Sequence, residues 1–140
     1  MIVGIDISKA WFDAAWVAEG QERHQRFEYT GEGLGQLLEQ TPPNARNVME
    51  ATGTYHARLA LRLHESGREV SVVNPLVIRR FAQMRLSRVK SDRADAELIR
   101  RYGEQQPWQP WQPATDEVLE LQQAHGWLDD LIVERTRLLN

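Results

Sequence analysis

The sequence predicts an α/β domain in which a mixed five-stranded sheet is flanked by helices and followed by the start of a long coiled-coil-type helix. Three observations predict it. The first 30 residues hold three consecutive segments with strand alternation and no helical periodicity between them. From residue 31 onward, helix-like and strand-like segments alternate, as in a sheet built with crossover helices. Beyond residue 105, a stretch rich in proline and tryptophan separates these segments from a heptad-like run.

MIVGIDIS sets Val3, Ile5 and Ile7 against Ile2, Gly4 and Asp6. A strand apolar on nearly both faces belongs at the centre of a sheet, and Asp6 is the exception in it. WFDAAWVAEG continues as a second strand, a turn forms around Gly20, and RHQRFEYT reads as a third, alternating Gln25, Phe27 and Tyr29 with charged or polar neighbours. Three short consecutive strands imply an antiparallel meander. GLGQLLEQ is a short helix stopped by Pro42 and Pro43, and ARNVMEAT is a fourth strand ending at Glu50. TYHARLALRLHESG is a helix with Tyr55, Leu59 and Leu63 on one face and Gly67 closing it, and REVSVVN is a fifth strand. Pro75 suits a first helical turn, and PLVIRRFAQMR behind it is amphipathic.

KSDRADAELIRRY opens one more helix, with Asp92 and Asp95 on one face. Carboxylates at that spacing stand about 5–6 Å apart at Cβ and repel unless something positive lies between them. A plainer account is available: Ser91 as N-cap, with both acids favoured by the helix dipole.

The resulting order, antiparallel first and alternating afterwards, is that of a ribonuclease-H-like (RuvC-like) sheet, in which strand four lies beside strand one. Asp6 and Glu50 then come close at neighbouring strand ends, with Asp92 and Asp95 on a later helix laid across the sheet. In nucleases of that fold such a set of four carboxylates binds two magnesium or manganese ions about 3.5–4 Å apart.

At 140 residues, 41% hydrophobic and 26% charged, the chain has room for one domain with a core. No apolar run reaches the roughly 18–20 residues needed to span a bilayer, and no leader-like region opens the sequence, so a cytoplasmic chain without a membrane partner is expected. Without cysteine there is no thiolate nucleophile and no Cys-type zinc site, which leaves oxygen ligands or the four histidines for any metal. His56 and His64 lie two helical turns apart, too far to share one ion, and read as partly buried helix residues, as Tyr55 reads as core. Net charge is −3, yet the stretch from Arg79 to Arg101 carries +5 and the remainder −8. Arg79, Arg80, Arg85, Arg88, Lys90 and Arg93, with Lys9 beside Asp6, are candidate phosphate contacts; a solvated helix face explains the same run equally well.

GEQQPWQPWQPATD carries Pro107, Pro110 and Pro113, which impose extended geometry and set Trp108 and Trp111 on one side of a three-residue-per-turn ribbon. The ribbon is expected to pack back as a strap. From Thr115 a helix begins, with Val118, Leu121, Leu128, Ile132 and Leu139 near heptad spacing and no stop signal before Asn140, so a longer natural chain is expected. The expected divisions are residues 1–105 for the metal-binding domain, 106–114 for the strap and 115–140 for the truncated start of the coiled-coil helix.

GIDISK at 4–9, EATGTYH at 50–56, VVNP at 72–75, Arg79-Arg80-Phe81-Ala82 and KSDRADA at 90–96 together resemble the N-terminal RuvC-like domain of the bacterial DEDD transposases, insertion sequence family 110, a family related to the pilin-gene inverting recombinase Piv. The resemblance implies that Asp6, Glu50, Asp92 and Asp95 are the four catalytic, metal-binding acids. It also implies Mg2+ or Mn2+, cleavage and rejoining of DNA strands in transposition, and a structured guide RNA. Two departures stand out. Ser91 replaces a frequent threonine, and nothing here corresponds to the family's C-terminal domain with its catalytic serine, so the chain would hold the metal half of a composite site. A two-ended DNA reaction and a heptad helix both favour a homodimer or higher homo-oligomer. Two other classes compete. An actin-like kinase lobe would want a glycine-rich phosphate loop where Ser8 and Lys9 stand. A non-catalytic nucleic-acid-binding and dimerisation module would use the basic segment and ignore metal.

Overall fold

The computed structural model describes residues 1–85 and 92–113, with side chains from residue 95 onward in the second stretch. These residues form β1 (Ile2–Ile7), β2 (Trp11–Ala18), β3 (Gln21–Glu28), α1 (Gly31–Gln40), β4 (Arg46–Glu50), α2 (Tyr55–Glu65), β5 (Glu69–Val73), α3 (Pro75–Met84) and α4 (Asp92–Gln105). The strands make one sheet in the order β3-β2-β1-β4-β5. β1, β2 and β3 pair antiparallel, while β1, β4 and β5 run parallel. This is the mixed ribonuclease-H-like order expected from the sequence, with β1 at the centre. The Ser91 cap and the helix from Thr115 with its heptads lie outside the described residues.

Local chemistry sets the elements. β2 and β3 are joined at Glu19 and Gly20, with φ of 53° and 75°, the pair of left-handed residues whose twist suits a two-residue hairpin loop. Thr30 caps α1 by accepting from the Gly33 amide at 3.1 Å, and Asn74 caps α3 by accepting from Leu76 N at 2.8 Å, ahead of Pro75. β3 is a sheet edge and mostly exposed, which accounts for its run of polar residues.

The sheet has two different faces. On one, Val3, Ile5 and Ile7 of β1 pack with Phe12, Phe27, Leu37, Leu59 and Leu63 under α1 and α2. On the other, Val48, Val73, Ile78 and Ile99 pack under α3 and α4. Ile2, Gly4 and Asp6 alternate onto this second face.

α4 crosses the second face at very close range. A Cβ added to Gly4 would stand 2.8 Å from the Cα of Arg100 and closer still to the Ala96 carbonyl and the Arg100 amide. One added to Gly103 would lie 2.7 Å from a Val48 methyl and 2.9 Å from an Ile2 methyl. Two contact points fix the direction: Gly103 over Ile2, and Ala96 with Arg100 over Gly4. α4 therefore runs antiparallel to β1, and its first turn lies at the carboxyl end of the sheet.

The strap folds back, though not as the three-residue spacing suggested. Trp108 packs with the Val48–Val73 cluster, its ring 5.1 Å from the Arg46 guanidinium, whereas Trp111 joins the opposite core and meets His64 edge-on at 6.1 Å. The two indoles thus sit on opposite faces of the sheet. Between them the chain bends around edge strand β5, and Trp111 N–H donates to Val70 O at 2.7 Å. Extended geometry set the spacing of the indoles; the need to pass around a sheet edge separated them.

The two glycine contacts differ in kind, and so do the expected costs of filling them. Gly4→Ala meets backbone that cannot yield and should lose about 1–3 kcal/mol in urea unfolding followed by circular dichroism. Gly103→Ala meets methyl groups and gains about 0.8–1 kcal/mol of helix propensity, so its loss should be clearly smaller; equal losses would show that helix height is not set at Gly4.

Candidate functional site

The parallel register of β1 and β4 pairs Gly4 with Val48 and Ile5 with Met49, so the next rung sets Asp6 beside Glu50 at the carboxyl ends of both strands. Both side chains alternate onto the α4 face. From Ile2 to Gly4 the strand advances about 6.6 Å, and along α4 that distance is covered by four to five residues at about 1.5 Å each. A further step of the same length, from Gly4 to Asp6, reaches the turn that begins at Asp92 and contains Asp95.

The electrostatics agree with this alignment. Glu50 is half-buried, and its carboxyl is pushed above the usual carboxylate value, first by burial and then by the negative charge of Asp95; Arg79 pulls the other way. An acid ending β4 and an acid early in α4, distant in sequence, thus feel one another at the same sheet end. The Asp92 side chain lies outside the described residues.

The loop after Glu50 is tied down. Ala51 N donates to Val73 O at 2.9 Å, Thr52 Oγ1 donates to Glu50 O at 3.1 Å, and Thr52 N donates to His56 Nδ1 at 3.0 Å. His56 is thereby an acceptor at Nδ1, and His64 packs on Trp111. Tyr55 is partly buried against the core, edge-on to the Tyr29 ring at 6.0 Å, and its carbonyl accepts from Tyr29 Oη at 2.5 Å. Burial pushes the Tyr29 hydroxyl far above its ordinary value.

Of the seven basic candidates, four have described side chains. Lys9 is exposed in the β1–β2 turn, at the same end as Asp6. Arg79 and Arg80 are exposed on α3, and only Arg79 acts on Glu50. Arg85 donates to Gln105 at 3.3 Å, at the far end of α4 from Asp95. Arg88, Lys90 and the Arg93 side chain lie outside the described residues.

One acid escaped the sequence reading. Asp13 is fully buried and is the cross-strand register partner of Asp6. Arg26 holds both its oxygens, Nε to Oδ1 at 3.2 Å and Nη2 to Oδ2 at 3.3 Å, and stacks over Trp11 at 4.4 Å. His24 Nε2 lies 3.1 Å from Oδ1, within ion-pair reach but off the axis of a hydrogen bond. The signal was available: Asp6 and Asp13 are symmetric about the tight turn at Lys9 and Ala10.

Among the described residues, no three histidine or carboxylate side chains stand close enough to hold an ion together. In kind, however, the donors fit a hard divalent cation: they are all carboxylates, and Glu50 carries a repulsion from Asp95 that a cation would relieve. The same repulsion has a sign in stability. Because the folded chain holds the Glu50 proton more tightly than the unfolded one, its contribution is full at low pH and is lost as pH rises through the raised value. Glu50→Gln should therefore raise the Tm of the metal-free chain by a few degrees at neutral pH, and the gap should shrink as pH falls through the raised value and close below the ordinary carboxylate value. A Tm difference independent of pH would contradict this account.

A transposase family model, that of the DEDD type of insertion sequence family 110, matches residues 3–140. The pilin gene-inverting protein of Moraxella bovis is 34% identical over 145 aligned residues, covering 96% of this chain and 45% of the relative. The protein of the same name from Moraxella lacunata is 33% identical over the same shares. The chain spans about 45% of the length of these curated relatives. A match running from the first strand to the last residue, in a chain folded in the order the resemblance implied, shows that this protein belongs to the DEDD transposases of insertion sequence family 110.

Proposed function

We propose that this chain is the RuvC-like catalytic domain of a DNA transposase or recombinase, with Asp6, Glu50, Asp92 and Asp95 holding Mg2+ or Mn2+ for cleavage and rejoining of DNA strands. The observation that carries the reading is the charge coupling between Glu50 and Asp95 at the sheet end where β1 delivers Asp6. A divalent ion bound there would supply Lewis-acid polarisation of a phosphodiester oxygen.

The chain's own residues provide the rest. β1 and β4 carry Asp6 and Glu50 on one rung of neighbouring parallel strands, and α4 brings Asp95 toward the same sheet end. Arg79 favours the ionised form of Glu50, which is the form that binds a cation. Lys9, exposed beside this end, is placed to meet a phosphate. The family resemblance adds a structured guide RNA, a homo-oligomer to join two DNA ends, and a second domain bearing the serine nucleophile, so strand transfer needs more than this chain. The competing module reading would use the basic segment and ignore metal, and it gives the coupling between Glu50 and Asp95 no part to play.

The test is calorimetric titration of Mn2+ into the 140-residue chain, alongside Asp92→Asn and Asp95→Asn. Saturable binding, weakened about tenfold or more in each variant, is the expected result. Equal affinity in all three would sink the four-carboxylate site.

A further inference from the structure

Asp13 is a buried carboxylate next to the proposed metal centre that nothing in the four-acid reading uses. Its register pairing with Asp6 puts two acids on one face of the antiparallel pair, about 4.5–5.5 Å apart at Cβ. Unneutralised, that pair would be destabilising. Asp13 has no access to solvent, yet both its oxygens are taken by Arg26, and His24 stands against one of them. With its lone pairs so engaged, Asp13 is not free to serve as a ligand. Arg26, in turn, is held from its other side by the Trp11 ring.

We propose that buried Asp13 and the half-exposed Arg26 that covers it form a counter-charge pair that sets the charge, and hence the cation affinity, of the carboxylate centre through Asp6. The inference rests on the metal-site reading above. Asp13 is a positioning residue here: it acts through its strand neighbour. The pair is charge-neutral as built, so it shields Asp6 from a second negative group and leaves the attraction for a cation to the four acids. Removing either partner unbalances it, and the two removals act in opposite directions.

Opposite signs separate this role from a brace between β2 and β3. In Mn2+ titrations of the 140-residue chain, Asp13→Asn leaves the Arg26 cation near Asp6 and should weaken binding about tenfold. Arg26→Gln leaves the Asp13 charge uncovered and should tighten binding about threefold. A brace predicts that both variants lose stability and neither tightens binding, so weakened or unchanged affinity in Arg26→Gln overturns the inference while the metal site stands. Should Asp13→Asn fail to fold by circular dichroism, Arg26→Gln decides alone. No Mn2+ binding to the wild-type chain overturns the metal reading and this inference together.

Discussion

Helix α4 rests directly on the backbone of β1 because Gly4 carries no side chain to hold it away, and the geometry of the carboxylate end depends on that contact. A helix packed on ordinary side chains stands about 10 Å from a sheet. Here the separation is closed by two glycines, one in the sheet and one in the helix, so Asp95 can come within electrostatic reach of Glu50. The sheet fixes two of the acids by register and the helix fixes the others by its height and direction. Neither element could form the site alone.

Gathering acids at one place costs stability, and the fold manages the cost with specific cations. Arg79 acts on Glu50, Arg26 holds both oxygens of Asp13, and Arg100, an almost fully buried residue of α4, donates to Glu104 at 2.7 Å and to Glu22 at 3.3 Å. These arginines differ in purpose. Arg26 takes both oxygens of Asp13 and Arg100 bonds two glutamates, while Glu50 stays raised despite Arg79. Glu50, whose proton is held more tightly than usual, is thus one of the four proposed ligands, as expected for a group kept ready for a cation.

Strand alternation, glycine and proline breaks and helical periodicity were enough to read the sheet, because each element carries its own local signal. Asp6 and Glu50 were conspicuous as candidates for a related reason: a charged residue at the end of an apolar strand stands out, and topology brings those two strand ends together. Asp13 was hidden because WFDAAW presents it as the polar beat of an ordinary strand, and only cross-strand register reveals its neighbour. How the arginines of the dense run face their partners is decided by packing and not by spacing: Arg79 acts on Glu50, whereas Arg85, just past α3, bonds Gln105. The tryptophans show the same limit, since spacing along an extended ribbon does not say what the ribbon must go around.

That ribbon has a mechanical consequence. A pull on the chain beyond residue 113 is borne first by Trp111, through its bond to the Val70 carbonyl, and then by two indoles gripping the sheet from opposite sides. Load is grounded in edge strand β5 before it can travel back to α4. The strap is a strain relief, of the kind fitted where a cable enters a housing: tension is spent on the sheet edge and does not tug on the helix that carries the acids.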